Sequence, residues 1–356
     1  MIPDVSPIAM NNPSRRLAAA MMFGALSCLG APLFSAEGPY HFLREIPVGG
    51  DGGWDYLSLD PGAHRLYVSH GSKVVVIDVT TDAVVGEIAG TPGVHGVALA
   101  PDLGRGLASD GGESKGAIVD LKTLQILTRV DTDRGPDGML YDPGQQEFYT
   151  FNGRADSATV ISARTNAVVA TIPLGGRPEF ATADPAAGRV YDNLEDKSLV
   201  AVIDVKTHTV TDRWPIAPGE SASGMAIDTA NQRLFLGCHN QLMVMMDAAT
   251  GKVLATVPIG QGVDANAFDP GTHLAFASCG DGTVTIAKEA APDTLTVVQT
   301  LATERGARTM ALDPTTHRIY LATAKFGPEP ETAPGERRRR PPMIPGSFKI
   351  LVYGME

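Results

Sequence analysis

Cysteine is scarce, at three residues in 356, and none stands in the Cys-x-x-Cys-His spacing that attaches a c-type haem. Two tryptophans leave no repeated stacking surface for a quinone, so a redox-cofactor role is not expected. Positive charge is short as well. With 29 Lys and Arg against 40 Asp and Glu, the formal net charge of −11 argues against nucleic acid or an anionic membrane surface as a partner. The apolar run 17–29 is too short to cross a bilayer, so no integral membrane segment is expected in the mature chain. Beyond residue 36 no segment carries a convincing helical period.

The front of the chain reads as an export signal. Arg15-Arg16 precede the apolar run, and Ser35-Ala36 before Glu37 offer small residues for cleavage, so 1–36 is expected to be a signal peptide. Two variants of this reading stay open: a twin-arginine signal begun by Ser14-Arg15-Arg16, and a lipid-modified Cys28. All three place the protein in the periplasm or outside the cell. Removing 1–36 takes away two arginines and one aspartate, leaving the rest one unit more negative.

What the chain has in quantity is repetition. A hydrophobic residue, then Asp-Pro or a relic of it, recurs with its Asp position at Asp60, Ala100, Asp142, Asp184, Asp228, Asp269 and Asp313. The steps of 40, 42, 42, 44, 41 and 44 residues match the length of a four-stranded propeller blade. A second turn, Asp-x-x-Thr, follows at Asp78, Asp120, Asp204 and Asp247, with Ser162 as a variant. In the first turn the Asp side chain can accept from the backbone two residues on, and Pro presets the backbone. The fold expected is all-β: a seven-bladed β-propeller of four-stranded antiparallel blades over 37–356. The seventh unit lacks an outer strand, and 42–49 matches the outer-strand pattern, so the N-terminal strand is expected to close the last blade. A Pro- and Arg-rich loop insertion at 326–345, containing Arg337 to Arg340, interrupts that blade; its composition is that of an extended or disordered segment able to cover the channel or dock a partner.

Leu66-Tyr67-Val68-Ser69, Val202-Ile203-Asp204, the run from Thr165-Asn166 to Thr171-Ile172, and Pro92-Gly93 with Val97-Ala98 echo one consensus. On these residues the chain resembles the YVTN family of seven-bladed β-propellers over about residues 40–356. The resemblance implies a periplasmic or cell-surface binding protein of the YncE-like kind. Related propellers also serve as lactonases and lyases, so the fold alone does not choose between them.

Repeat register locates a candidate site. Five residues before each mark, where the innermost strand opens on one channel mouth, stand Asp55, His95, Asp137, Glu179, Ser223, Asp264 and Arg308. Ten residues after the marks, at the ends of the second strands, stand His70, Asp110 and Asn152, with His239 beside the fifth. Carboxylates, imidazoles and amides together suit a hard cation or acid–base work. Asp55, Asp137, Glu179 and Asp264 are the candidate metal ligands, for a calcium or magnesium ion. Four carboxylates aimed at one axis repel unless a cation, a proton or Arg308 offsets them.

The leading expectation is a binding module for a small molecule, ion or peptide segment at this mouth, acting as a monomer and without chemistry of its own. The alternative is a metal-assisted lactonase or lyase with His95 or His70 moving the proton. Polar side chains also gather at a mouth that is merely wet. Cys238 and Cys279 sit in adjacent blades where strands diverge, so two separate buried thiols are expected.

Overall fold

The computed structural model describes residues 38–328 and 341–356. The expected signal segment 1–36 and Arg337 to Arg340 lie outside them. The described chain forms seven four-stranded antiparallel sheets arranged as blades, with two short 3-10 turns and no α-helix among the described residues. Blade 3 is representative: Pro136–Asp142, Glu147–Asn152, Ser157–Ser162 and Val168–Pro173 pair in sequence order from axis to edge.

Burial explains why these segments pack as blades. The second and third strands run as near-continuous apolar stretches buried on both faces, such as Arg65–His70 and Lys73–Asp78, whereas outer strands such as Ala83–Ala89 are mostly exposed. A sheet covered on both sides needs that pattern. Seven buried apolar clusters result, one between each pair of adjacent blades.

Both turns form where the sequence places them. Asp142 Oδ1 accepts from Gly144 N–H at 2.9 Å, and Asp184 Oδ1 accepts from Ala186 and Ala187 at 3.1 Å. Asp78, Asp120, Asp204 and Asp247 each accept two backbone N–H groups and a Thr hydroxyl. The basic residue after the first turn clamps the next blade: Arg65 donates to Leu121 O, Arg105 to Ala163 O and Arg189 to Ala248 O.

The ring closes as expected. His41–Pro47 pairs antiparallel with Lys349–Gly354, with Phe42 opposite Tyr353 and Ile46 opposite Ile350, and completes the seventh blade. Tyr40 adds a clasp on blade 6: its N–H donates to Gln299 Oε1 at 2.9 Å and its carbonyl accepts from Gln299 Nε2 at 2.7 Å. The loop insertion is more ordered at its two ends than its composition suggests. Phe326 bridges Met343, Gly327 N–H donates to Pro342 O at 2.8 Å, and Phe326 lies over Trp54 with ring centroids 6.1 Å apart. Apolar Phe326 takes part in two of these contacts.

Candidate functional site at the channel mouth

The innermost strands bring the first set of expected residues to one mouth. Backbone bonds set their height: Asp55 N–H donates to Ser69 Oγ at 2.8 Å, and His95 N–H to Ser109 Oγ at 2.7 Å. Neither serine was legible as a site residue, although both occupy the same place on their second strands. His95 Nδ1 lies 2.7 Å from Asp55 Oδ2 and 3.0 Å from Asp137 Oδ1, so one imidazole N–H serves two carboxylates. Burial opposes its charge, yet the hydrogen bonds and charges of Asp137 and Asp55 raise His95 to about 10. It is therefore an imidazolium at neutral pH.

Asp264 takes a different partner, Arg308 Nη1. Glu179 takes a proton: burial first, then the charges of Asp137, Glu195, Asp55 and Asp264, raise it to about 8. Behind it lies Asp192, fully buried on the second strand of blade 4, with neither carboxylate oxygen hydrogen-bonded within normal limits. Burial, then Glu179, holds Asp192 well above the usual carboxylate range. A cation, a guanidinium and protons thus share the neutralisation that the register calls for.

The four proposed metal ligands do not meet as one set. Asp55 and Asp137 converge on His95, Asp264 turns to Arg308, and the close cluster is Asp55, His95 and Asp137, whose ligand atoms lie within 4.8 Å of one another.

The second-strand residues depart from the expected rim. His70 is 2% exposed and stacks on Phe348 at 4.2 Å. Asp110 is buried, with Arg129 Nε 3.4 Å away. Asn152 is buried and bonded to Thr150, Ser157 and Thr159. A second strand stands about 4.8 Å further from the axis, so its side chains enter the spaces within and between blades instead of the mouth. His239 remains exposed, its Nδ1 3.6 Å from Glu195 Oε1, on the outer side of the mouth.

Two aromatic side chains lie below this layer. Tyr56 and Phe180 meet across the axis with centroids 5.3 Å apart, and Tyr56 Oη donates to Glu179 O at 3.2 Å. Phe180 also packs on the clusters between blades 4 and 5 and between blades 6 and 7. Glycines make room: a Cβ on Gly96 would come 2.7 Å from Tyr56 Cβ, and one on Gly138 would come 2.4 Å from Glu179 O. The signal was available in the repeat, since the position after each mouth residue reads Tyr56, Gly96, Gly138, Phe180, Gly224, Ala265 and Thr309, two aromatics among small residues.

Above this floor a cavity of about 220 Å³ opens over blades 2 to 4, lined in part by His95, Asp137, Arg154, Arg177 and Glu179. Arg154 is exposed, and Arg177 is paired with Glu195. One imidazolium, two guanidinium groups and a protonated carboxyl can donate to a ligand here, a set suited to an anionic group. Cys238 and Cys279 are free and buried, each raised by burial to about 12, and take no part.

No helix among the described residues is long and apolar enough to cross a membrane. No protein-family model matches the chain. Uncharacterized proteins named YncE from Salmonella typhi and Salmonella typhimurium are each 25% identical to it over 158 residues. The matches cover 40% of this chain and 44% of each relative, so the chain spans less than half the length of the curated relatives it matches. A structure of U3-55K superposes with a TM-score of 0.71 at 12% identity, covering 87% of this chain and 98% of that one. The WD40 repeats of RRP9 give 0.71 at 12% identity over 87% and 97%. A chain of a mitotic checkpoint complex gives 0.70 at 14% identity over 96% and 98%. At such identities the structures establish the fold and nothing finer: the chain is a β-propeller with weak, partial similarity to the YncE proteins.

Proposed function

We propose that this is a periplasmic or secreted propeller of the YVTN kind that binds a small anionic molecule at the mouth over blades 2 to 4, without turnover. The partial similarity to YncE and the character of 1–36 support the family and the compartment. The observation that carries the ligand class is internal neutralisation. His95 answers Asp55 and Asp137, Arg308 answers Asp264, a proton answers Glu179 and Arg177 answers Glu195, which leaves Arg154 and the remaining N–H groups of Arg177 facing the cavity as donors. A carboxylate of metabolite size matches those donors and the 220 Å³ of space.

Calorimetry with a panel of small mono- and dicarboxylates tests this at pH 7. Saturable binding by at least one, lost in the Arg154→Ala/Arg177→Ala double variant, is expected. A second reading, a divalent ion as used by a metal-assisted lactonase or lyase, draws on the closeness of Asp55, His95 and Asp137. There the ion must displace the His95 proton, so affinity would climb steeply between pH 7 and 10. Calcium or magnesium raising the melting temperature on that pH schedule, with no carboxylate bound, would replace the first reading by the second.

A further inference from the structure

A second cluster lies at the far rim, independent of the mouth. The innermost strand of blade 5, Ala222–Asp228, opens at the mouth and ends at Asp228 on the other side of the ring. There Asp228, His273 and Glu289 each place a ligand atom within 4.8 Å of the others, across the join of blades 5 and 6.

Comparison of blades shows how unusual Glu289 is. In blades 1 to 5 the residue after the third strand donates its N–H to the carbonyl of a left-handed residue in the first turn. The pairs are Val79 to His64, Leu121 to Gly104, Ala163 to Gln146, Val205 to Gly188 and Ala248 to Gln232. All five donors are buried and apolar. In blade 6 the same bond runs from Glu289 to His273, and the side chain entering that apolar slot is a carboxylate, 8% exposed. The Asp-x-x-Thr turn is absent here, since Lys288 stands at its first position and the strand continues to Ala291.

His273 belongs to the set by the same logic. In blades 7 and 5 the left-handed residue of the first turn reaches the mark of the preceding blade. His317 Nδ1 lies 2.7 Å from Asp269 Oδ2, and Gln232 Nε2 donates to Asp184 Oδ2 at 2.6 Å. His273, with φ 57°, is aimed in this way at Asp228 and is exposed on its outer side. Asp228 is already held by N–H groups of Ala230 and Asn231 and by Asn231 Nδ2, which fixes its orientation. Glu289 Oε2 has no hydrogen-bond partner. Burial, then the Asp228 carboxylate, raises Glu289 to about 7, while Arg233, held by Asp247 and the Pro292 carbonyl, pulls the other way.

We propose that Asp228, His273 and Glu289 form a binding site for a zinc-class divalent cation that ties blade 5 to blade 6. One imidazole and two carboxylates are a mixed nitrogen and oxygen set, which suits zinc better than calcium or magnesium, whose sites are built from oxygen. The orphaned, buried Glu289 oxygen supplies the ligand that a neutral core position would not.

The test uses the full chain after chelator treatment, titrated with zinc sulfate and, separately, calcium chloride, with binding heat and thermal unfolding as readouts. Zinc should bind and raise the melting temperature, and calcium should do neither at this site. Glu289→Val restores the residue type of blades 1 and 4, so it should fold, melt higher than the metal-free parent and lose the zinc increment. His273→Gln matches blades 3 and 5 and should fold while binding zinc more weakly. His95→Gln, at the mouth, should keep the increment. Absence of zinc binding in the parent, survival of the increment in Glu289→Val, or its loss in His95→Gln would each overturn the proposal, the first leaving two carboxyls that share a proton.

Discussion

A carboxylate that burial deprives of water holds a proton unless a cation reaches it, and blade 4 has two such groups, with Glu179 acting electrostatically on Asp192. The sign of the consequence is fixed. Glu179 titrates at about 8 in the fold against 4.5 in the unfolded chain, so between those values the native state binds more protons and stability falls as pH rises. Glu179→Gln should therefore gain about 1–3 kcal/mol over the parent at pH 9 and almost nothing at pH 4, as read by denaturant unfolding. An equal gain at both values would mean that packing, not charge, is responsible. Which charges share the mouth was legible in the sequence, because repeat register places equivalent residues at one height. Their partners were not. Whether Asp137 turns to His95 and Asp264 to Arg308 depends on side-chain direction, which register leaves open.

At the scale of elements, the period of the Asp marks and the unmatched segment at the front made the seven blades and their closure readable. Both follow from backbone demands: an Asp to satisfy turn N–H groups, and an edge that must be paired. The second-strand ends were misjudged because height on a blade was read as distance to the axis. His70 and Asn152 have the right height but sit within the blade body. The closing strand also carries a quantitative expectation. Deleting 38–48 removes the fully buried Tyr40 and Ile46, about 3–6 kcal/mol of apolar burial before any ladder bonds are counted. Against a total stability of roughly 5–15 kcal/mol, the variant should melt far below the parent and aggregate through its opened edge. Calorimetry and light scattering check this. A deletion that melts with the parent would remove closure as a source of stability.

For the molecule as a whole, the acid-side and alkaline-side groups are divided between different parts of the ring. The second-turn aspartates Asp78, Asp120, Asp204 and Asp247 lie below their usual value of 3.8 through the bonds they accept. Their contribution is present above that value and is lost as pH falls through the folded one. His95, at about 10 in the fold against 6.5 unfolded, contributes stability that is complete below 6.5 and disappears as pH rises to 10. Glu179 at about 8, Glu289 at about 7 and Asp192 cost stability over the same alkaline range, because each must lose its proton while buried. A net charge of −11 adds self-repulsion in the same direction. These effects place the stability maximum at about pH 5, above the acid limb set by the turns and below the range in which the mouth discharges. Thermal unfolding of the metal-free protein from pH 3 to 10 should show a melting temperature that peaks there and declines steadily from pH 6 to 10. In Glu179→Gln and Glu289→Val that decline should flatten while the acid limb stays in place, since the aspartates that set it are untouched. A melting temperature that instead climbs from pH 6 to 9 in the parent would mean that the buried carboxyls are ionised and paired at neutrality, and the neutralisation assigned to the mouth would fail with them.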